Sequence, residues 1–425
     1  MASENYMNVP KSTMSQFFDD LEAKLALITG IVDMRKVGIT LEDARKPVMV
    51  IGQPGIGKTA GIMSIIRNIN ARLKSEGRTD SVGLKKILLG QTVVGSMTGI
   101  PVHLGDGRVV RVQVPDLPDP ERDPKYGVLF LDELTTADEA QVQPALGLTD
   151  DSRNIGEYTL PEGWMVVAAG NGPDCSNFLR LDDMTISRFF VYDIAYNFQS
   201  DWRGYANRNG VESDIIAFLN FSPTSCMRME STENDISGKL FPCPRSWERL
   251  SNELKIRRAT GRPVMQSEMA QFAGRVVGLK AAREFQAFTA YAEKVKYSPK
   301  KIIAGTEEPP SADIEKQVYF IVLQNCMKLV VRMVEEDGAS DGDELKPEAA
   351  QAISNVIRWF LAMERYDLES TFSAIISLKN DHDVIASFVR GAQVDNYCPE
   401  LSDFIERNFE GLMEAVNTGA FNELF

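Results

Sequence analysis

The chain has few of the residues from which metal centres and disulfide frameworks are built. Of its 425 residues, five are cysteine and two are histidine. Cys175, Cys226, Cys243, Cys326 and Cys398 show no CxxC spacing, so neither a disulfide scaffold nor a structural zinc cluster is expected. Long apolar stretches are missing too: there is no run of 18 or more apolar residues. The first stretch, MASENYMNVPKSTMSQFFDDLEAKL, has acids where a secretory signal needs a basic and then an apolar segment. The expectation is a cytoplasmic protein without membrane insertion. Positive charge is outnumbered, with 46 Lys and Arg against 60 Asp and Glu, a net charge of −14. Wholesale wrapping of nucleic acid rests on Lys and Arg and is disfavoured, which leaves room only for a local basic strip. Protein partners or a protein substrate fit this balance better.

What is present is a globular composition, 44% apolar and 25% charged, on a chain long enough for two or three packed domains. Its centre of gravity is residues 47–66, PVMVIGQPGIGKTAGIMSII. Here a short apolar strand runs into a glycine-rich loop and then into an apolar-periodic helix. Gly52, Gly55 and Gly57 allow the loop to curl so that backbone N–H groups converge on phosphate oxygens, and the helix N-terminus adds partial positive charge. Pro54, Ile56 and Ala60 complete the loop. Lys58 is placed to reach the β- and γ-phosphates and Thr59 to meet magnesium.

Residues 11–45 suggest a helical entry, with Phe17, Phe18, Leu21, Leu25 and Leu27 as its apolar stripe. KKILLG at 85–90 is a strand candidate. In SMTGIPVHLGDGRVVRVQVPDLPDPERDP, two β-branched runs flank Gly105, Asp106 and Gly107, which predicts a hairpin over about 97–114. It is either a projecting functional element or a surface flap. GVLFLDEL at 127–134 reads as a buried parallel strand that delivers acids at its C-terminal end. Asp132 is then positioned to hold magnesium through water, and Glu133 to orient or deprotonate an attacking water. ADEAQVQPALGLTDD predicts a helix and RNIGEYTLPEG a short hairpin. WMVVAAGN is a further buried strand ending on Asn171, an amide that can hold the lytic water or serve as a plain turn residue. Arg188 stands where a short helix meets a strand over Phe189 to Ile194. It either neutralises carboxylates at the sheet edge or reaches a neighbouring subunit's phosphate site. Beyond about 199 the pattern turns helical. Phe241-Pro242-Cys243-Pro244 starts a helix with Arg245 in its first turn, a cation that favours a nearby anion. Residues 297–312 and 335–347 read as exposed linkers.

The order GQPGIGKT, FLDEL, VVAAGN, SRFF and PRSWERLS resembles the AAA+ ATPases, and in detail their MoxR-like branch, over roughly residues 35–260. NIGEYTLPEGWMVVAAGNGPD, followed by RLDDMTISRF, is the most family-specific part. The resemblance implies an α/β fold: a P-loop parallel sheet sandwiched by helices, then an α-helical lid and a helical C-terminal portion. It divides the chain into a lead-in at 1–45, a nucleotide-binding domain at 46–198 carrying the hairpin insertion, a lid at 199–300 and an extension at 301–425. It makes Gly52 to Thr59 Walker A, Asp132 with Glu133 Walker B, Asn171 sensor 1, Arg188 an arginine finger acting in trans, and Arg245 sensor 2. It further implies ATP and Mg2+, a homo-oligomer in the form of a hexameric ring, and a chaperone-like role in remodelling or maturing partner complexes, often with a von Willebrand A domain protein. The chain departs from peptide-threading relatives, because Met97 to Pro101 contains no aromatic-hydrophobic-glycine pore loop. An AAA+ motor acting on nucleic acid or in phage defence is the alternative, and a binding module in which nucleotide only locks a scaffold is a third reading.

Overall fold

The continuous apolar runs of the first half become neighbouring strands of one sheet in the computed structural model, which describes residues 9–112, 117–173, 178–227, 240–291, 295–310, 314–337, 344–381, 383–390 and 393–408. The strands in chain order are β1 (Lys11–Ser12), β2 (Val48–Ile51), β3 (Val82–Leu88), β4 (Ile100–His103), β5 (Val109–Val112), β6 (Tyr126–Asp132), β7 (Asn154–Ile155), β8 (Tyr158–Thr159), β9 (Trp164–Gly170) and β10 (Phe190–Ile194). Six of them form a parallel sheet in the order β1-β10-β2-β9-β6-β3. Residues of β2 and β9 are buried throughout, as a sheet covered by helices on both faces requires.

Side-chain alternation sorts the two faces. Met49, Ile51, Leu129, Leu131, Val166 and Ala168 share a core with Val142, Leu146 and Leu148, contributed by the helix Glu139–Leu146 and the turn after it. The intervening residues, Val50, Val128, Phe130 and Val167 among them, point to the opposite face. On that side the helices Met14–Ile28 and Lys58–Ser75 pack together so closely that a side chain at Gly61 would run into the Phe18 ring. The entry helix begins with a capping box between Thr13 and Gln16 and buries Phe17, Leu21 and Leu25.

The expected hairpin forms as β4 and β5 around Gly107, whose φ of 84° suits glycine. The last residues of the predicted insertion, 113–114, lie outside the described residues. β7 and β8 make the second, shorter hairpin. β1 has no counterpart in the sequence reading: it is two residues long, and what fixes it is tertiary, an ion pair of 2.8 Å from Lys11 to Asp193 of β10.

The chain divides into two compact units, Met1–Tyr196 and Asn197–Phe425. The second is helical. Phe218, Trp247, Phe285 and Phe288 form an aromatic cluster with ring centroids 5.5–5.8 Å apart. A larger core surrounds the helix Lys316–Asp337 and the helix Pro347–Leu361. The stretch Lys316–Glu336 is long and apolar enough to cross a membrane by length and composition, yet 67% of its apolar window is buried inside the protein. Val322, Cys326 and Val330 at its centre are core residues. One expectation is corrected here. Residues 297–312 are not all linker, because Pro299–Ile303 is a helical turn opened by Pro299 that buries Ile302 in this core. A second correction falls in 335–347: the helix continues to Asp337 and Leu345 is buried in the same core, while 338–343 lie outside the described residues.

Candidate nucleotide site

Three parallel strands bring their C-terminal ends to one level. Ile51 of β2 is registered with Gly170 of β9, and Ala168 of β9 with Leu131 of β6. Gly52, Asn171 and Glu133 therefore leave the sheet side by side, with β9 in the middle. Two strand spacings separate β2 from β6, about 10 Å.

From β2 the backbone turns through Gly55 at φ 83° and Gly57 at φ 99°, conformations that an L side chain rarely adopts. Gly57 caps the helix Lys58–Ser75, which has no side-chain cap on its first-turn amides. Those N–H groups and the helix dipole suit an anion. Lys58 is buried, and its ammonium donates to the carbonyls of Gly52 at 2.7 Å and Gln53 at 3.2 Å, so the loop wraps around its own lysine. Ile56 anchors the loop from beneath, with its Cδ1 placed 2.8 Å from where a Cβ on Gly52 would be. Pro54 and Thr59 are partly exposed and Ala60 is exposed.

At the end of β6, Asp132 uses both carboxylate oxygens. Oδ1 accepts the Glu133 N–H at 3.0 Å, and Oδ2 is paired with the Lys86 ammonium at 2.8 Å. Glu133 adopts φ 65°, one of two described non-glycine residues in the left-handed region. This costs about 1 kcal/mol or more and is typical of strain held at a working site. Its carboxylate lies against Gly90, where an added Cβ would be 3.0 Å from Oε2.

Asn171 is pinned through its backbone rather than its side chain. Its N–H donates to Thr135 Oγ1 at 2.7 Å, and the same hydroxyl donates to the Asn171 carbonyl at 2.9 Å. Thr135 is fully buried, and its carbonyl accepts the Leu179 N–H at 2.6 Å. A single threonine thus ties the end of β6 to Asn171, just past β9, and to Leu179.

Arg188 is elsewhere. It precedes β10, whose Phe190 is registered with Val48 at the start of β2, so it sits at the N-terminal end of the strands while the glycine loop leaves the C-terminal end. It is ion-paired with Asp150 at 2.8 Å and donates to the Leu146 carbonyl at 3.1 Å. Asp182 caps the helical turn Asp183–Ile186 just before it by accepting the Thr185 N–H at 2.6 Å, and that backbone hydrogen bond holds its carboxyl below the usual carboxylate range. Arg245 belongs to the second unit, exposed in the first turn of the helix Pro244–Ala259.

Lys58, Thr59, Asp132, Glu133 and Asn171 are therefore gathered at one end of the sheet, and Arg188 is not. Sequence reasoning missed Lys86, Gly90 and Thr135. Thr135 directly follows FLDEL, and Lys86 and Gly90 lie in the strand candidate KKILLG, but only the fold shows what each touches.

No family model matches the chain, and no curated protein does. Solved structures do. The ORC2 protein of Aeropyrum pernix, solved as ADPNP and ADP complexes, is 12% identical, with 71% of this chain covering 77% of that one at a TM-score of 0.34. Drosophila ORC bound to DNA is 13% identical, with coverage of 86% and 85% and a TM-score of 0.31. NtrX of Brucella abortus, in complex with ATP, is 11% identical, with coverage of 84% and 70% and a TM-score of 0.31. At these scores the likenesses add nothing to what the strand order and the ends of β2, β6 and β9 establish.

Proposed function

We propose that the chain is an ATP-hydrolysing AAA+ ATPase of the MoxR-like kind that assembles into a ring and remodels partner protein complexes. The observation that supports this is the position of β9 between the P-loop strand and the acid-bearing strand, with Asn171 between Gly52, whose carbonyl the Lys58 ammonium contacts, and Glu133. The donor set fits a magnesium nucleotide: uncapped helix amides for phosphate oxygens, a hydroxyl on Thr59 and one carboxylate on Asp132. Mg2+, when bound, neutralises charge on the β- and γ-phosphate oxygens. The loop amides and Lys58 hold the triphosphate. Glu133 accepts a proton from water, and Asn171 orients that water for attack on the γ-phosphorus in line with the bridging oxygen, whose bond to phosphorus breaks to release ADP. Arg188 lies at the other end of the strands from its own chain's site, which supports its donation to the next protomer in a ring once it leaves Asp150. There its charge stabilises the transferring phosphoryl group.

Under this reading residues 199–300 act as the lid and carry Arg245 as sensor 2, and residues 301–425 extend it. The hairpin β4–β5 meets the client. It exposes Ile100, Val102, Val109 and Val112, which favours a protein client, including a von Willebrand A domain partner. The basic residues of the hairpin are already engaged: Arg108 pairs with Asp106, and Arg111 donates to the Gly99 carbonyl at 3.2 Å. This lowers the case for a nucleic-acid motor.

The test is Glu133→Gln. The variant is expected to bind ATP as the parent does and to lose nearly all phosphate release; hydrolysis at the parental rate removes Glu133 from the mechanism. Mixing it with Arg188→Ala protein should restore activity at interfaces that carry neither defect.

A further inference from the structure

We infer that Lys86 is a resident counter-cation for Asp132, paired with its carboxylate and setting how much Mg2+ the site needs. This rests on the nucleotide-site reading above. Lys86 lies on the edge strand β3, registered with Phe130. Alternation along the strands puts it on the same face as Asp132, two residues further along β6. Its ammonium is 2.8 Å from Asp132 Oδ2 and 5.7 Å from the centroid of the Phe130 ring, so the stem lies along β6. The other oxygen of Asp132 is committed to the Glu133 N–H. The pair is only partly hydrated, with side-chain exposures of 35% and 19%, so the ammonium is not simply exchanged for water at the surface. Meanwhile the Lys58 ammonium lies on the loop carbonyls of Gly52 and Gln53.

A carboxylate so engaged has a definite consequence. A divalent ion drawn to Asp132 meets a positive charge already bound to the same oxygen. The two repel at short range in a medium less polar than water. Lys86 must swing aside or share Oδ2, and either raises the metal concentration at which the site fills. In exchange, the largely buried carboxylate always has a partner in its own chain.

The experiment uses the full chain with Lys86→Met, which keeps the aliphatic stem on Phe130 and removes the charge, and Lys86→Arg, which restores charge. The probe is a fluorescent ATP analogue, titrated with Mg2+ after treatment with EDTA. Lys86→Met should reach half-maximal analogue binding at about threefold or more lower Mg2+ than the parent. Lys86→Arg should return close to the parental value. In EDTA without nucleotide, Lys86→Met should melt below the parent, and saturating Mg2+ with nucleotide should narrow that gap. An unchanged or raised Mg2+ requirement in Lys86→Met overturns the inference, whatever the melting shows; Lys86→Gln gives the same readout if the methionine variant does not fold. If the parent binds no analogue at any Mg2+ concentration, the nucleotide site itself is refuted, a result distinct from an insensitive Lys86.

Discussion

Thr135→Val is the sharpest probe of the site, because valine keeps the shape and removes only the hydroxyl. That hydroxyl makes the 2.7 Å and 2.9 Å contacts to the Asn171 backbone. Without it the amide and carbonyl of Asn171 lose their partner beside a fully buried side chain. An unsatisfied buried group costs about 1–3 kcal/mol. Asn171 is partly exposed, so water repairs some of the loss, and about 1–3 kcal/mol for the pair is the expected total. For a unit of this size that corresponds to a drop in Tm of about 2–12 °C. Thr135→Ser is the control. It keeps both hydrogen bonds but loses the methyl packed at Gly170, where a glycine Cβ would come within 2.6 Å of it, at about 1 kcal/mol. Melting by circular dichroism and steady-state phosphate release, run side by side, separate the two. Both variants should be destabilised, yet only Thr135→Val should lose turnover, by about tenfold or more, as expected when a water-orienting group shifts by a fraction of an ångström. Parental turnover in Thr135→Val would show that Asn171 does not depend on this anchor.

The remaining predictions concern the loops around it. Gly90→Ala places a methyl 3.0 Å from Glu133 Oε2, so phosphate release should change while nucleotide affinity, read by titration, stays within about twofold. Gly57→Ala forces a Cβ onto a residue at φ 99°, a strain of about 1–2 kcal/mol that should weaken ATP binding roughly tenfold, measured by calorimetry. Asp182 carries a pH dependence. Its folded pKa lies below its unfolded one, so its cap on the turn before Arg188 is fully present above the ordinary carboxylate value, about 4, and is lost as pH falls through the depressed value. The Thr185 amide resonance should follow that loss in an acid titration, and Asp182→Asn should flatten it.

The sheet was legible wherever a strand is buried on both faces. VMVI, VLFL and WMVVAAG are unbroken apolar runs, and each closes on a residue the site uses, so position in the run also located Asp132, Glu133 and Asn171. The loop glycines were legible because a positive φ leaves little other choice. What could not be read depends on partners far along the chain. β1 contains only a lysine and a serine, and only its pairing with β10 makes it a strand. Thr135 looks like any threonine after a strand until Asn171 is placed beside it. The segment at 297–312 has the proline and glutamate content of a linker, and only the helices packed around Ile302 fold part of it. Glu133 gave no hint of its left-handed backbone, since nothing in FLDEL calls for one.

The segment that leaves the end of β9 at Asn171 is the same one that arrives, a short way on, at Arg188 beside the start of β10. One stretch of chain therefore leads from the amide proposed to sense a γ-phosphate to an arginine held by Asp150 and the Leu146 carbonyl. Leu181 along it and Phe189 just past its end are buried in the core on one face of the sheet, with Leu179 and Ile186 packed against it, so a displacement that starts at Asn171 is felt at Arg188 only by way of the packed interior.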